Sequence, residues 1–288
     1  MTEQDQAKTG DRIAKVLARA GLCSRREAER WITLGRVQVD GRVIDSPALN
    51  VTPEADILVD GKPLPDRQPT RLWRYHKPTG RLTTRRDPEG RPTIYDGLPP
   101  ELATAITIGR LDMNSEGLLL LTNDGALARR LELPSTGWIR KYRVRVHGTV
   151  DPKALEGLAN GVTIDGQNYG PITATLERQV GANAWVAVAL REGKNREIRR
   201  VMEHLGYSVS RLIRICWSSR EAPVGDSIGS VLGLSELMGA ESSLRFRLAE
   251  GCAQRAGQQG TIVHRGPAWS PPFSGRTGAE LPSHFGLE

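Results

Sequence analysis

One stretch constrains this chain more than any other: Ile106-Thr107-Ile108-Gly109-Arg110-Leu111-Asp112-Met113-Asn114-Ser115-Glu116-Gly117-Leu118-Leu119-Leu120-Leu121-Thr122-Asn123-Asp124-Gly125. Four consecutive leucines stand between Gly117 and an Asn-Asp-Gly turn signal. An apolar run this short, closed by turn residues on both sides, reads as a buried strand rather than a helix. Gly109 to Gly117 is then a loop between two strands. It carries Arg110, Asp112, Ser115 and Glu116, and polar loops held by buried strands are where functional groups tend to sit.

The flanking sequence predicts an α+β domain around that loop. Tyr75-His76-Lys77-Pro78-Thr79-Gly80 is a strand entering a turn, and Asp87 to Thr93 is a loop. Ala126 to Leu133 is a short helix with Leu127 and Leu131 inward. Lys141 to His147 alternates, with Tyr142, Val144 and Val146 on one face and cations on the other. Ala184 to Leu190 is another strand. Arg191 to Asn195 turns into a helix whose apolar stripe is Ile198, Val201, Met202 and Leu205, and Gly206 ends it. Arg196, Arg199 and Arg200 lie off that stripe. Lys194 sits at the strand-to-helix junction, where its side chain can reach over a sheet edge.

The N-terminal part is a separate unit. Residues 1–10 are polar and expected to be disordered. Ile13, Val16, Leu17 and Ala20 have helical spacing, and Gly21 stops the helix. Ser24-Arg25-Arg26-Glu27 is a capping box opening a second helix, which Gly35 ends. Val37 to Val43 reads as a strand, an Asp-Gly turn and a second strand, and Ile57 to Gly61 repeats the signal. This helix-helix-hairpin module spans 11–64, with 65–70 as a Pro-rich linker. Arg19, Arg25, Arg26, Arg30 and Arg36 crowd the turn and the helices, next to a helix N-terminus that already favours anions.

Charge and composition narrow the function. The chain has 288 residues, enough for about two domains, and 40 Lys and Arg against 33 Asp and Glu, a net of +7. The excess is unevenly spread, with a further cluster at Arg140, Lys141, Arg143 and Arg145. A polyanionic partner is the expectation. Three distant cysteines (Cys23, Cys216 and Cys252) exclude a disulfide scaffold and offer no CxxC site. The five histidines have no metal-binding spacing, so no metal is expected. Phosphate-cradling loops and a GxSxG elbow are absent. No apolar run approaches the ~18 residues of a membrane helix, and the N-terminus has no secretory h-region. These readings favour a cytoplasmic protein with no membrane contact. Carboxylates and cations remain as chemical equipment. An Asp on a loop, kept ionised by a cation from a distant segment, can act as a nucleophile. Residue chemistry alone reaches as far as an RNA-binding protein with a candidate Asp-based site.

Two resemblances go further. The segment RIAKVLARAGLCSRREAERWITLGRVQVDGRVI, within about residues 12–60, resembles the S4 domain, a small RNA-binding module. GRLDMNSEGLLLLTNDG, with HKPTG before it and LREGKNREIRRVMEHLG after it, resembles the RsuA/RluB family of pseudouridine synthases. The combined likeness covers about residues 12–214. It implies an S4-type α/β module followed, over 71–215, by a catalytic domain on a mixed, largely antiparallel sheet with flanking helices. It also implies a cofactor-free isomerase, a monomer, that converts uridine in RNA to pseudouridine.

The residue roles are carried over from that resemblance. Asp112 matches the essential aspartate. Lys194 matches a basic position expected to pair with Asp112, and Tyr142 matches the active-site tyrosine. Leu190 lines the pocket, and Arg110 contacts the flipped nucleotide or its phosphate. Lys77, Arg140, Lys141, Arg196, Arg199 and Arg200 join the five arginines of the first module as RNA contacts. The expected substrate is ribosomal RNA, 23S rather than 16S. A tRNA-directed synthase and a non-catalytic S4-type assembly factor are the alternatives. After Ile215 the resemblance fades, and 216–288 reads as an atypical, poorly ordered region.

Overall fold

The computed structural model describes residues 10–66, 68–218, 230–232 and 246–248. The expected disordered tail, except Gly10, and most of 216–288 lie outside the described residues.

The first module folds as its pattern implies. Helix α1 (Ile13–Arg19) and helix α2 (Arg25–Thr33) pack on a four-stranded sheet. Its strands are β1 (Val37–Val39), β2 (Arg42–Val43), β3 (Ile57–Val59) and β4 (Lys62–Pro63), in the order β2-β1-β3-β4. Ile13, Leu17, Ala28 and Ile32 meet Val37, Val39, Ile57 and Val59 in one core. Both Asp-Gly pairs turn with two positive φ angles, 50° and 77° at Asp40-Gly41 and 51° and 76° at Asp60-Gly61. That geometry matches the twist of a two-residue hairpin. The capping box forms by half. Ser24 Oγ accepts from Glu27 N at 3.3 Å, but the Glu27 carboxylate accepts instead from the Trp31 indole at 3.1 Å and from Arg30.

The larger domain is built on a nine-stranded sheet. In chain order its elements begin with β5 (Leu72–Lys77), β6 (Ile106–Ile108), β7 (Glu116–Thr122) and α3 (Gly125–Glu132). Next come β8 (Ile139–His147), β9 (Ile172–Val180), β10 (Asn183–Leu190), α4 (Glu197–His204) and β11 (Ser208–Ser218). Two short strands, β12 (Ser230–Leu232) and β13 (Phe246–Leu248), complete it. The main order is β9-β10-β8-β11-β7-β5-β13, with β6 beside β7 and β12 beside β11. β7 with β11, β11 with β12 and β5 with β13 run parallel, and the other pairs are antiparallel.

The leucine run is the interior strand β7, covered on both faces. Leu119 and Leu121 enter the main core with Tyr142, Val144, Val186, Val188, Ile198 and Met202. Leu118 and Leu120 point the other way, toward Leu127, Leu131, Trp138 and Trp217. Burial on two sides explains why the strand is apolar throughout instead of alternating. Each leucine contributes roughly 1.5–3 kcal/mol of transfer free energy. Gly117 fixes the crossing of β7 and β11. Its φ is +102°, and an added Cβ would fall 2.3 Å from the Arg214 carbonyl oxygen. No other residue fits where Gly117 pairs with Arg214.

The C-terminal boundary differs from the expectation. Residue 215 falls inside β11, which continues through fully buried Cys216 and Trp217 to Ser218. Two later segments also pair, as β12 and β13, within a region expected to lack order.

Candidate active site

The Asp112 loop is held through its backbone. Every carbonyl from 111 to 115 accepts a hydrogen bond. Thr83 Oγ1 donates to Leu111 O at 2.8 Å, and Ser115 N donates to Asp112 O at 3.0 Å. Gly80 N donates to Met113 O at 2.8 Å. Arg199 Nη2 donates to Asn114 O at 2.9 Å, and Lys77 Nζ donates to Ser115 O at 2.8 Å. Lys77 Nζ also reaches Pro78 O at 3.0 Å and Met113 O at 3.3 Å. A loop whose backbone carbonyls are all satisfied is held in one conformation, and the partly exposed Asp112 side chain rides on it.

Two buried cations flank that carboxylate. Lys77 is fully buried and Arg199 is 9% exposed. Burial pushes the Lys77 ammonium down to about 8, while Asp112 and Glu116 pull it back up. Burial likewise lowers Arg199, against an upward pull from Asp112. Arg199 also donates to Val209 O at 3.1 Å, so it ties α4 to β11 and to the loop.

The remaining elements meet Leu111 in the main core. Leu111, Tyr142, Leu190 and Ile198 share one buried cluster. Arg140 pairs with Leu190 and Tyr142 with Val188 across β8 and β10, so Tyr142 and Leu190 are diagonal neighbours on one sheet face. Arg110 is exposed beside Asp112 on the loop. Glu197, buried at the start of α4, accepts from Lys194 N at 2.9 Å, and burial raises its carboxyl. The loop offers a carboxylate with two buried cations tied to its backbone, and the core that Leu111 joins offers a phenol and an apolar wall.

Comparison with known proteins identifies the family. The family profile described as RNA pseudouridylate synthase matches residues 71–204, and the S4 domain profile matches 11–57. Ribosomal large subunit pseudouridine synthase B of Escherichia coli K12 is 43% identical over 246 residues, covering 83% of this chain and 84% of that one. The chain belongs to the RsuA/RluB family of RNA pseudouridine synthases. A Rickettsia felis protein named as an uncharacterized RNA pseudouridine synthase is 49% identical over 208 residues, 72% of this chain and 90% of that one. Among solved structures, a pseudouridylate synthase is 27% identical, with a TM-score of 0.49 over 72% of this chain and 89% of that one. A match covering 83% of this chain cannot end by residue 215, so similarity to the family continues past Ile215.

Several cations of the synthase lie elsewhere than their sequence positions suggested. Lys194 does not turn to Asp112. Its ammonium pairs with Glu192 at 2.8 Å, donates to Asn168 O at 2.6 Å and lies over the Tyr169 ring. The strand-to-helix turn aims it along the sheet edge, and Arg199, one turn into the helix, reaches the loop instead. Lys77 and Arg199, expected to touch RNA, are the buried anchors just described. Arg140 is 8% exposed; it donates to the Glu192 and Trp138 carbonyls and stacks on Trp217. Lys141 is 5% exposed, because both faces of β8 are covered at this end.

Other expected RNA contacts do reach the surface. Arg196 and Arg200 are exposed, although Arg200 donates to Gln167 Oε1 at 3.2 Å. Arg25, Arg26 and Arg30 are exposed. Arg19 is partly covered and pairs with Asp11, and Arg36 pairs with Asp60 and stacks on Trp31. Arg199 had a readable signal. On a helical wheel it falls about 60° from Met202, at the edge of the apolar stripe, whereas Arg200 lies on the far side.

Proposed function

We propose that this chain converts a uridine of large-subunit ribosomal RNA to pseudouridine in the cytoplasm, with Asp112 as nucleophile. The loop beneath Asp112, with every carbonyl from 111 to 115 hydrogen-bonded, is the observation that carries the reading. A carboxylate on a loop tied down by two buried cations is fixed in direction. The target uridine leaves its stack, at a cost of roughly a few kcal/mol, and enters beside Tyr142 and Leu190. Asp112 attacks a ribose or uracil carbon. The C1′–N1 bond breaks, the uracil turns, and a C1′–C5 bond forms as the bond to Asp112 breaks and frees its carboxylate. The C5 proton leaves, with Tyr142 packed on the base to help move it, and N1 ends protonated. Arg110 holds the flanking phosphate. Arg25, Arg26 and Arg30 hold neighbouring RNA, with salt-sensitive affinity. The large-subunit assignment is supported by the 43% identical relative, whose name carries that specificity.

The test is tritium release from C5-tritiated uridine in 23S, 16S and transfer RNA. Release from 23S alone is expected, and Asp112→Asn is expected to give none above background while binding RNA normally. Full activity in Asp112→Asn would overturn the assignment and favour a non-catalytic assembly factor. Release from transfer RNA alone would move the substrate, not the chemistry.

A further inference from the structure

The sheet's reverse face, opposite Tyr142, carries cations that the pocket does not use. Across four strands the register lines up one row. Arg178 of β9 stands opposite Trp185 of β10, Trp185 opposite Arg145 of β8, and Arg145 opposite Arg211 of β11. At about 4.8 Å per strand the row spans about 14 Å. Arg145, Arg178 and Arg211 are exposed and Trp185 is half-buried. Arg143 lies over the indole, 5.0 Å from its centroid, and pairs with Glu177 at 2.8 Å. Arg211 pairs with Glu116. Among the described residues, that leaves Arg145 and Arg178 without a carboxylate partner. Like charges facing one another weaken a sheet, so folding does not account for the row.

Arg145, Arg178, Val180, Asn183 and Trp185 also line a cavity of about 130 Å³, with Val180 54% exposed at its edge. It presents an aromatic surface, two guanidinium forks and an amide. That is the chemistry of single-stranded RNA recognition, in which bases stack on aromatic rings and cations track the phosphates. A second copy of the chain is disfavoured, because a two-fold contact would set this arginine row against itself. We propose that this reverse face is a second RNA-contact site, holding an unpaired segment of the same ribosomal RNA away from the target nucleotide. The proposal rests on the reading of the substrate as ribosomal RNA.

The test uses the full chain, a transcribed 23S RNA and a short oligouridine carrying 4-thiouridine. Replacing both Arg145 and Arg178 with Gln is expected to weaken binding of the transcript about tenfold at physiological salt. The slope of log affinity against log salt should fall by about one to two. Tritium release at saturating RNA should stay at the wild-type level. Photo-crosslinks from the oligouridine should map to residues 183–190 in the wild type and vanish in Trp185→Leu. Unchanged affinity and slope, with tritium release intact and no crosslink in that strand, would overturn this site alone. A wild-type dimer that the double substitution dissociates would also overturn it. Loss of binding in a chain that releases tritium from no RNA would instead sink the isomerase reading.

Discussion

The two domains use the same residue type in opposite ways. In the N-terminal module Arg25, Arg26 and Arg30 stay at the surface. In the catalytic domain Lys77, Arg140, Lys141, Arg199 and Arg214 are all at most 9% exposed. The module's core is a thin layer of short aliphatic side chains and cannot surround a guanidinium. The nine-stranded sheet is covered on both faces and can. Burying a cation costs several kcal/mol of hydration, so it persists only where it satisfies other buried groups. Lys77 and Arg199 do so by donating to loop carbonyls, and Arg214 Nε donates to Leu118 O at 2.6 Å. A cluster of positive charge therefore marks a binding surface in a small module. In a large sheet domain it can mark the scaffold of the site.

The largest effect should come from breaking that scaffold. Lys77→Met leaves the carbonyls of Pro78, Met113 and Ser115 without their ammonium donor. Urea unfolding should show a loss of about 2 kcal/mol, and tritium release should drop about a hundredfold or more as the loop loosens. RNA affinity should be unchanged. A variant with the wild-type rate and weaker binding would return Lys77 to the RNA contacts. The pH dependence follows from the same burial. Lys77 titrates near 8 in the fold against 10.5 for an ordinary lysine. The unfolded chain thus binds the proton more tightly, and this group's contribution to stability rises with pH between those values. Over the same window the loop loses its ammonium. Activity should decline as pH climbs through about 8, with no matching loss of stability from this group.

Much of this was legible in the sequence, and the limits have physical causes. The leucine strand, both Asp-Gly hairpins, the helix capped by Ser24 and the helix before Gly206 all stand near their expected places. These features are local, set by turn chemistry and periodicity. Leu111, next to Asp112 in the chain, shares the buried cluster of Tyr142 and Leu190, while alternation alone gives Tyr142 only a place on the apolar face of its strand. What was not legible is which distant cation faces the loop. Lys194 and Arg199 are five residues apart, and only the path of the turn before α4 decides between them. Burial of Lys77 depends on a contact with residues 113–115, more than 30 positions away. No local pattern encodes such a contact.

A smaller effect, in the opposite category, is expected from the module. Arg25→Gln with Arg26→Gln should leave stability and the rate at saturating RNA unchanged. Affinity for ribosomal RNA should fall severalfold, and the salt slope should drop by about one for each phosphate that the module no longer holds. Filter binding across a salt series measures this. If the pair instead lowers the melting temperature while affinity holds, the contrast between a surface set and a scaffold set of cations fails.

The smallest effect sharpens the choice of cation beside Asp112. Lys194→Gln removes an ion pair with Glu192 whose side chains are 36% and 37% exposed. Such a pair contributes at most about 1 kcal/mol, and solvent screening reduces it further. The Asn168 carbonyl keeps access to water, and Glu197 still accepts from the backbone N–H of residue 194. The rate at saturating RNA should stay within about twofold of wild type. Arg199→Gln under the same conditions should lose activity on the scale of Lys77→Met, because the carbonyls of Asn114 and Val209 lose their donor. The reverse order, with Lys194→Gln inactive and Arg199→Gln active, would mean that Lys194 swings to Asp112 when RNA binds. The buried scaffold would then be secondary to an exposed cation recruited by the substrate.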